Sequence, residues 1–360
     1  MVNITLEVII SCFSIIPLLV VTSSSFKQYR QTSTSHTHYM MLIWFLILIK
    51  QVFEVLAVVF LNPFYMRIAV LCLIPVNFSV LLFTDILRQE SVEPVKMIVL
   101  SALATETIHV IFAYSEISII ELSSGDLSVV VNLGLAGPVS VMSLFAGVFF
   151  FFNSIKIHSN APSYLHGSTR LLMISSFLMG ILINILTLAQ ITLIIPCIVR
   201  WTYSIAAILI VYVFKKEPEI AYVLPFQVTS LIVIDNKAGA PRYSFSWRKI
   251  AGMDHSLFSG LLHGVRLLMK ETLDANNVNE ISLDNGHLLL NTNAKYDFTV
   301  ILYTTKVSKT LQNALEEFSA RFASKFGQIV SDDRPLEDFR GASDLTKDVF
   351  WFIPDYSKRG

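Results

Sequence analysis

The chain has 360 residues, of which 54% are hydrophobic and 15% charged. A soluble domain carries about 25% charged residues, so this composition excludes a wholly soluble enzyme, a disordered protein and a secreted disulfide scaffold. Lys+Arg and Asp+Glu are 27 each, and a zero net charge gives no bulk attraction to nucleic acid.

The charge is unevenly placed. Nine residues of each sign precede residue 215, and the rest crowd the last 146 residues. A membrane part over 1–215, a linker over 216–225 and a soluble part over 226–360 are therefore expected. Cys12, Cys72 and Cys197 sit inside apolar runs without metal spacing and read as packing residues.

A membrane helix needs about 20 apolar residues. Seven runs qualify, at roughly 6–24, 40–61, 67–87, 95–114, 127–152, 171–188 and 193–214. Residues 171–214 are nearly continuous and would span about 66 Å as one helix, twice the hydrocarbon thickness. A break is therefore expected between Thr187 and Pro196. The first run lacks a basic leader and carries Glu7, so it does not read as a signal peptide. Pro17, Pro75, Pro138 and Pro196 are expected kinks.

Orientation follows from the short loops. Lys27, Arg30, Arg88, Lys96, Lys156, Arg170, Lys215 and Lys216 fall on one side, and only Arg67 falls on the other. This puts the N-terminus outside and the C-terminal part in the cytoplasm, as a multi-pass protein of the cell membrane. Glu116, Glu121 and Asp126 make the outer loop at 115–126 acidic. Asn3-Ile4-Thr5 is a glycosylation triplet on that side.

Five ionisable residues fall within the runs: Lys50 and Glu54 in the second, Glu106 and His109 in the fourth, Arg200 in the seventh. Each costs about 2.5–3.5 kcal/mol at mid-bilayer, and five facing lipid would cost on the order of 10–15 kcal/mol. They are expected to face one another or water. Lys50 and Glu54 share a helix face at i, i+4, with Gln51 beside them. Glu106 and His109 share one at i, i+3, extended by Ser101 and Thr105. Asn77, Asn184 and Tyr203 lie at similar depth. One reading is an outward-opening site for a small ligand or ion; the other is a structural ion-pair network.

A retinal protein needs a lysine in mid-helix 7, where this chain has Arg200. Rhodopsin-like receptor motifs are missing from the third and seventh runs. Met66-Arg67-Ile68, Pro75, Phe83-Thr84-Asp85 and the Glu106–His109 spacing together resemble the seven-helix sensor module that precedes histidine kinases. The resemblance covers about 80 residues. No kinase domain follows.

The soluble part begins with alternating residues from Val228 to Asp235, a turn at Asn236-Lys237-Ala238-Gly239 and a returning strand from Pro241 to Trp247. A helix is expected over 254–273, capped by Asp254, with Phe258, Leu261, Leu262, Val265, Leu268 and Met269 on one face. Three strands follow. The first runs from Glu280 to Asp284 and turns at Asn285-Gly286. The second covers His287 to Thr292, and the third Tyr296 to Thr305. A helix over 307–330 carries Leu311, Leu315, Phe318, Phe322 and Phe326 as a packing stripe. The tail offers a short helix and an aromatic end, Val349 to Pro354, expected to close the core.

This order predicts an α+β domain with a five-stranded antiparallel sheet. Leu231-Ile232-Val233-Ile234-Asp235 with Gly239, Ser259-Gly260-Leu261-Leu262 and the Asn285-Gly286 hairpin resemble the longin branch of the roadblock/longin superfamily. The resemblance implies a non-catalytic platform for a small GTPase or for another longin or roadblock domain, and it allows a homodimer. Neither G-x-G-x-x-G, P-loop, H-E-x-x-H nor G-x-S-x-G is present, and His255, His263 and His287 lack metal spacing. No catalytic residue, metal or cofactor is expected. The leading expectation is a receptor-like or scaffold protein coupling membrane sensing to signalling or trafficking. The alternatives are a transporter or channel using the intramembrane cluster, and a plain membrane anchor for the soluble domain.

Overall fold

A computed structural model describes residues 6–32, 34–89, 91–113, 117–121, 127–191, 198–248, 260, 264, 279–284, 286–331, 339 and 341–356. Contacts divide the chain into two units. One is Met1–Ala161 with Leu165–Ala221; the other is Pro162–Tyr164 with Tyr222–Gly360.

Among the described residues seven helical spans are long and apolar enough to cross a membrane: Val8–Gln31, Ser35–Phe60, Pro63–Gln89, Pro94–Ala113, Leu133–Asn160, Ser163–Leu188 and Ile198–Lys216. The first span is broken into α1 (Leu6–Phe13) and α2 (Ile15–Thr32). Pro17 explains the break. It has no N–H to offer the carbonyl of Phe13, four residues earlier. The next helices are α3 (Ser35–Phe60), α4 (Pro63–Gln89) and α5 (Pro94–Ala113). Pro75 lies inside an unbroken α4.

Two short strands follow, β1 (Ile117–Glu121) and β2 (Leu127–Val131), paired antiparallel. The sequence reading had merged residues 127–131 with the fifth helix. An apolar run does not by itself separate strand from helix. Here three successive valines, stiff at χ1, favour the extended form. The fifth helix α6 begins after Asn132 and runs Leu133–Asn160 through Pro138.

The sixth span contains α7 (His166–Phe177), a π-helical turn at Leu178–Leu182 and α8 (Ile183–Leu188). The break between the last two spans falls where length required it, after Leu188 and before α9 (Ile198–Lys216). Gln190 takes a left-handed backbone there, φ 55°. Pro196, Asn3, Glu116 and Asp126 lie outside the described residues.

Six spans form a closed ring, in which α2 packs on α3, α3 on α4, α4 on α6, α6 on α7, α7 on α9, and α9 on α2. α5 stands outside this ring against α6 and α4. α6 and the π turn cross closely, because Gly147 meets Gly180 with no side chain on either. A Cβ on Gly147 would clash with the Gly180 carbonyl oxygen.

The second unit is built on a five-stranded antiparallel sheet. Its strands are β3 (Val228–Asp235), β4 (Pro241–Ser246), β5 (Glu280–Leu283), β6 (Gly286–Asn293) and β7 (Phe298–Thr304), in the order β4-β3-β7-β6-β5. Gly239 closes the first hairpin at φ 65°, a conformation that suits glycine. At the turn between β6 and β7 Asn293 accepts the backbone N–H groups of Lys295 and Tyr296. Asn285 lies outside the described residues.

β7 is the middle strand, and β3 beside it is buried along its whole length. α10 (Lys309–Ser331) packs on β6 and β7, with Phe322 5.4 Å from Phe298, ring to ring. Ile232, Ile234, Leu288, Leu290 and Ile301 form a second buried cluster, on the opposite side of the strands by alternation. The helix expected over 254–273 lies outside the described residues except Gly260 and Gly264, which are helical. After α11 (Ala342–Val349) the aromatic end closes on the domain. Phe350 stands 5.8 Å from Phe318 and 5.5 Å from Trp247.

Candidate functional site

The polar residues of the second and seventh spans meet inside the ring. Lys50 Nζ lies 2.6 Å from Glu54 Oε1, and Arg200 Nε lies 3.7 Å from Glu54 Oε2. One carboxylate is thus shared by two cations. Lys50 and Arg200 are 3% and 6% exposed, so this is an interior network. The Lys50 ammonium also lies 4.8 Å from the Tyr203 ring centre.

Local sequence explains the convergence. Lys50 and Glu54 are one turn apart on α3, so one helix face carries both. Arg200 and Tyr203 are three apart on α9. The break before Pro17 supplies further anchors: Arg200 Nη1 donates to Ser11 Oγ, Gln51 Nε2 donates to Ser14 Oγ at 2.6 Å, and Ser204 Oγ donates to the Ser14 carbonyl at 2.9 Å. Ser11 and Ser14 escaped the sequence reading, because a serine in an apolar run is ordinary. The proline three residues after Ser14 was the available signal.

A cavity of about 120 Å³ opens beside this network, enough for several waters. Its polar wall includes Lys50, Glu54, Arg200, Tyr203, Ser140 and Asn184. Met66, Val70, Leu73, Val139 and Ile183 make the apolar wall, and β2 contributes Ser128–Val131. The π turn shapes this side: Asn184 Nδ2 donates to the Gly180 carbonyl at 2.8 Å. Such turns are frequent at functional sites. Asn77 Nδ2 donates to Ser143 Oγ at 3.0 Å, joining α4 to α6. Ser140 Oγ is buried without a hydrogen-bond partner.

Glu106 and His109 are not part of this arrangement. The sequence reading grouped them with Lys50, Glu54 and Arg200, but both are exposed on the outer side of α5. The physical reason is the place of α5 outside the ring. A helix packed on two neighbours buries a single stripe, here Lys96, Leu100, Ala104, Thr107 and Ile111. Ser101 and Thr105 share the exposed side, each hydroxyl donating to its own helix backbone.

A second ionic cluster joins α4 to α5. Asp85 is fully buried; its Oδ1 lies 2.6 Å from Lys96 Nζ, and its Oδ2 accepts the Glu93 backbone N–H at 2.9 Å. Glu93 bridges Lys96 at 3.0 Å and Arg88 at 2.8 Å. The Lys96 hydrogen bond leads the causes that hold the Glu93 carboxyl below its ordinary range. Lys96 had been counted only as a loop charge. This cluster staples a tight turn.

No protein-family model, curated protein or solved structure matches the chain.

Proposed function

We propose that the chain is a receptor-like multi-pass membrane protein with its N-terminus outside and its C-terminal domain in the cytoplasm. The bundle cavity takes a small ligand. The C-terminal domain is longin-like and presents a surface to a small GTPase or to another longin or roadblock protein.

The observation that carries this reading is the shared carboxylate beside the cavity. Glu54 holds Lys50 closely and Arg200 loosely, at 2.6 and 3.7 Å. A ligand with its own affinity for Arg200 competes for the loose partner and leaves the tight pair in place. A ligand biases a conformational equilibrium only through such a difference in affinity. Arg200 sits on α9, the last span before the soluble domain in the sequence. The strand order strand-strand, then three strands and a helix, supports the longin-like reading, as does the glycine turn at Gly239.

The test uses the full chain in lipid nanodiscs and small GTPases of the same organism, loaded with GDP or a GTP analogue. Nucleotide-dependent binding is the expected result. Absence of binding in both states removes the platform reading. Substrate flux across liposomes would replace the receptor reading with a transporter.

A further inference from the structure

The cavity in the bundle has two unlike walls. α3 and α9 supply its charged groups, Lys50 and Glu54 from the first and Arg200 from the second. α4 supplies Met66, Val70 and Leu73, whose spacing puts them on one helix face. A molecule that fills this space has a polar end and an apolar end. Water serves only the first, because it leaves the α4 face wetted, and covering apolar surface with apolar surface is the favourable change. The volume of about 120 Å³ bounds the guest. A cavity of about 150 Å³ takes benzene, so about five or six non-hydrogen atoms fit here.

The polar end is rich in donors. Among the described residues the wall holds two cations and one carboxylate. An ammonium has three N–H donors and a guanidinium five, and neither can accept. Lys50 meets Glu54 at 2.6 Å and otherwise lies over the Tyr203 ring, which leaves it donors to give. Arg200 Nε stands 3.7 Å from Glu54, beyond hydrogen-bond length. Ser140 belongs to the same wall. It is 1% exposed, and its Oγ is buried with no hydrogen-bond partner. A rotamer step about χ1 turns this hydroxyl to a guest, which recovers the free energy that an unmade buried hydrogen bond costs.

The head group follows from this inventory. An ammonium would add a third cation and more donors to a wall that lacks acceptors. A carboxylate brings acceptors alone. A neutral hydroxyl also accepts, but a bond between an ionised donor and an ionised acceptor is the stronger one. The α4 face offers no donor for a second charge. We propose that the ligand of this cavity is a small monocarboxylate with a short apolar chain, its head toward Lys50, Arg200 and Ser140 and its chain along α4. This rests on the reading that the bundle cavity takes a ligand, and it names the ligand's class.

The test is a set of saturation-transfer NMR titrations of the full chain in nanodiscs, with empty nanodiscs as the blank. The probes are butyrate, butylamine and butan-1-ol. Butyrate is expected to bind about tenfold or more tightly than either of the others, the size of one charged hydrogen bond. Ser140→Ala is expected to weaken butyrate by about fivefold, and Val70→Phe, which fills the apolar end, to remove its binding. Thermal unfolding checks that both variants are folded. Val141→Leu, exposed on α6, is expected to leave the titration alone. Octanoate, whose chain exceeds the cavity, is expected to bind no more tightly than butyrate. Tighter binding would assign the site to a bilayer fatty acid and overturn the short-chain claim. Butylamine or butan-1-ol binding as tightly as butyrate, and lost in Val70→Phe, would overturn the acid assignment and leave the cavity reading standing. Butyrate binding that neither folded variant alters would place the acid elsewhere and overturn the proposal. Binding of none of the three probes would overturn the cavity reading and the proposal with it.

Discussion

Replacing Glu54 by glutamine removes the carboxylate that Lys50 and Arg200 share. Lys50 is bound at 2.6 Å with 4% of its side chain exposed, so its ammonium is withdrawn from bulk water. Removing one partner of a buried pair costs about 3–5 kcal/mol, since the remaining charge stays desolvated. Here two cations are left facing each other, which puts Glu54→Gln in that range. Lys50→Gln is a different perturbation. It leaves Glu54 beside Arg200, so the charges still balance locally, and the loss is that of a charged hydrogen bond, about 1.5–3 kcal/mol. The account therefore predicts an order as well as a size: wild type, then Lys50→Gln, then Glu54→Gln. Thermal unfolding of the full chain in nanodiscs reads it directly. If Lys50→Gln cost as much as Glu54→Gln, the shared-carboxylate reasoning would be wrong. The same holds if Glu54→Gln came within about 1 kcal/mol of wild type.

Further predictions concern packing and pH. Gly147→Ala places a Cβ against the Gly180 backbone and is expected to destabilise the bundle by about 1–3 kcal/mol. Gly137→Ala meets nothing within 4 Å and is expected to be neutral or mildly stabilising by unfolding midpoint. Phe350→Ala empties a fully buried ring site and should cost the sheet domain about 3–5 kcal/mol, measured by amide exchange in β3 and β7. At Asp235 burial raises the carboxyl's pKa. That is outweighed by the 2.7 Å bond from Arg242 and by backbone N–H donors, so the net shift is downward. A lowered carboxyl pKa contributes stability that is complete above its unfolded value, about 3.9, and is lost as pH falls through the folded one. Asp235→Asn is accordingly expected to lower the domain's stability most above pH ~5, where the wild-type contribution is complete, and to converge with wild type in acid, flattening the acid limb of the unfolding curve; an unaltered limb would refute the assignment.

How much of this was legible in the sequence depends on the kind of signal. The seven spans were, because hydrocarbon thickness fixes a length and the apolar runs met it. Their ends were less so. Leu127–Val131 read as part of a helix because an apolar stretch looks alike in both conformations, and its pairing partner Ile117–Glu121 lay in what looked like a polar loop. The strands were legible through alternation and through turn chemistry such as that at Gly239, where a single residue dictates local backbone geometry; the pairing of β3 with β7 was not, because no turn joins them. The site was legible in half. The spacing of Lys50 and Glu54, and of Arg200 and Tyr203, put each pair on one face, and these faces do meet. The same logic put Glu106 and His109 on one face of α5. Periodicity says which residues share a face but not where that face points, and α5 packs outside the ring. Ser11 and Ser14 stayed hidden because their role follows from the break at Pro17 and not from any pattern of their own.

The most direct test measures whether the bundle is coupled to the sheet domain. Affinity of the full chain for a GTP-loaded small GTPase would be measured in nanodiscs for wild type and Lys50→Gln. Amide exchange in β3, β6 and β7 would be followed in parallel. The account predicts that affinity changes by about fivefold or more, the ordinary size of a coupling between two sites, while exchange protection of the sheet stays at its wild-type level. Equal affinities in two folded proteins would contradict it and leave the polar network as part of the bundle's structure alone.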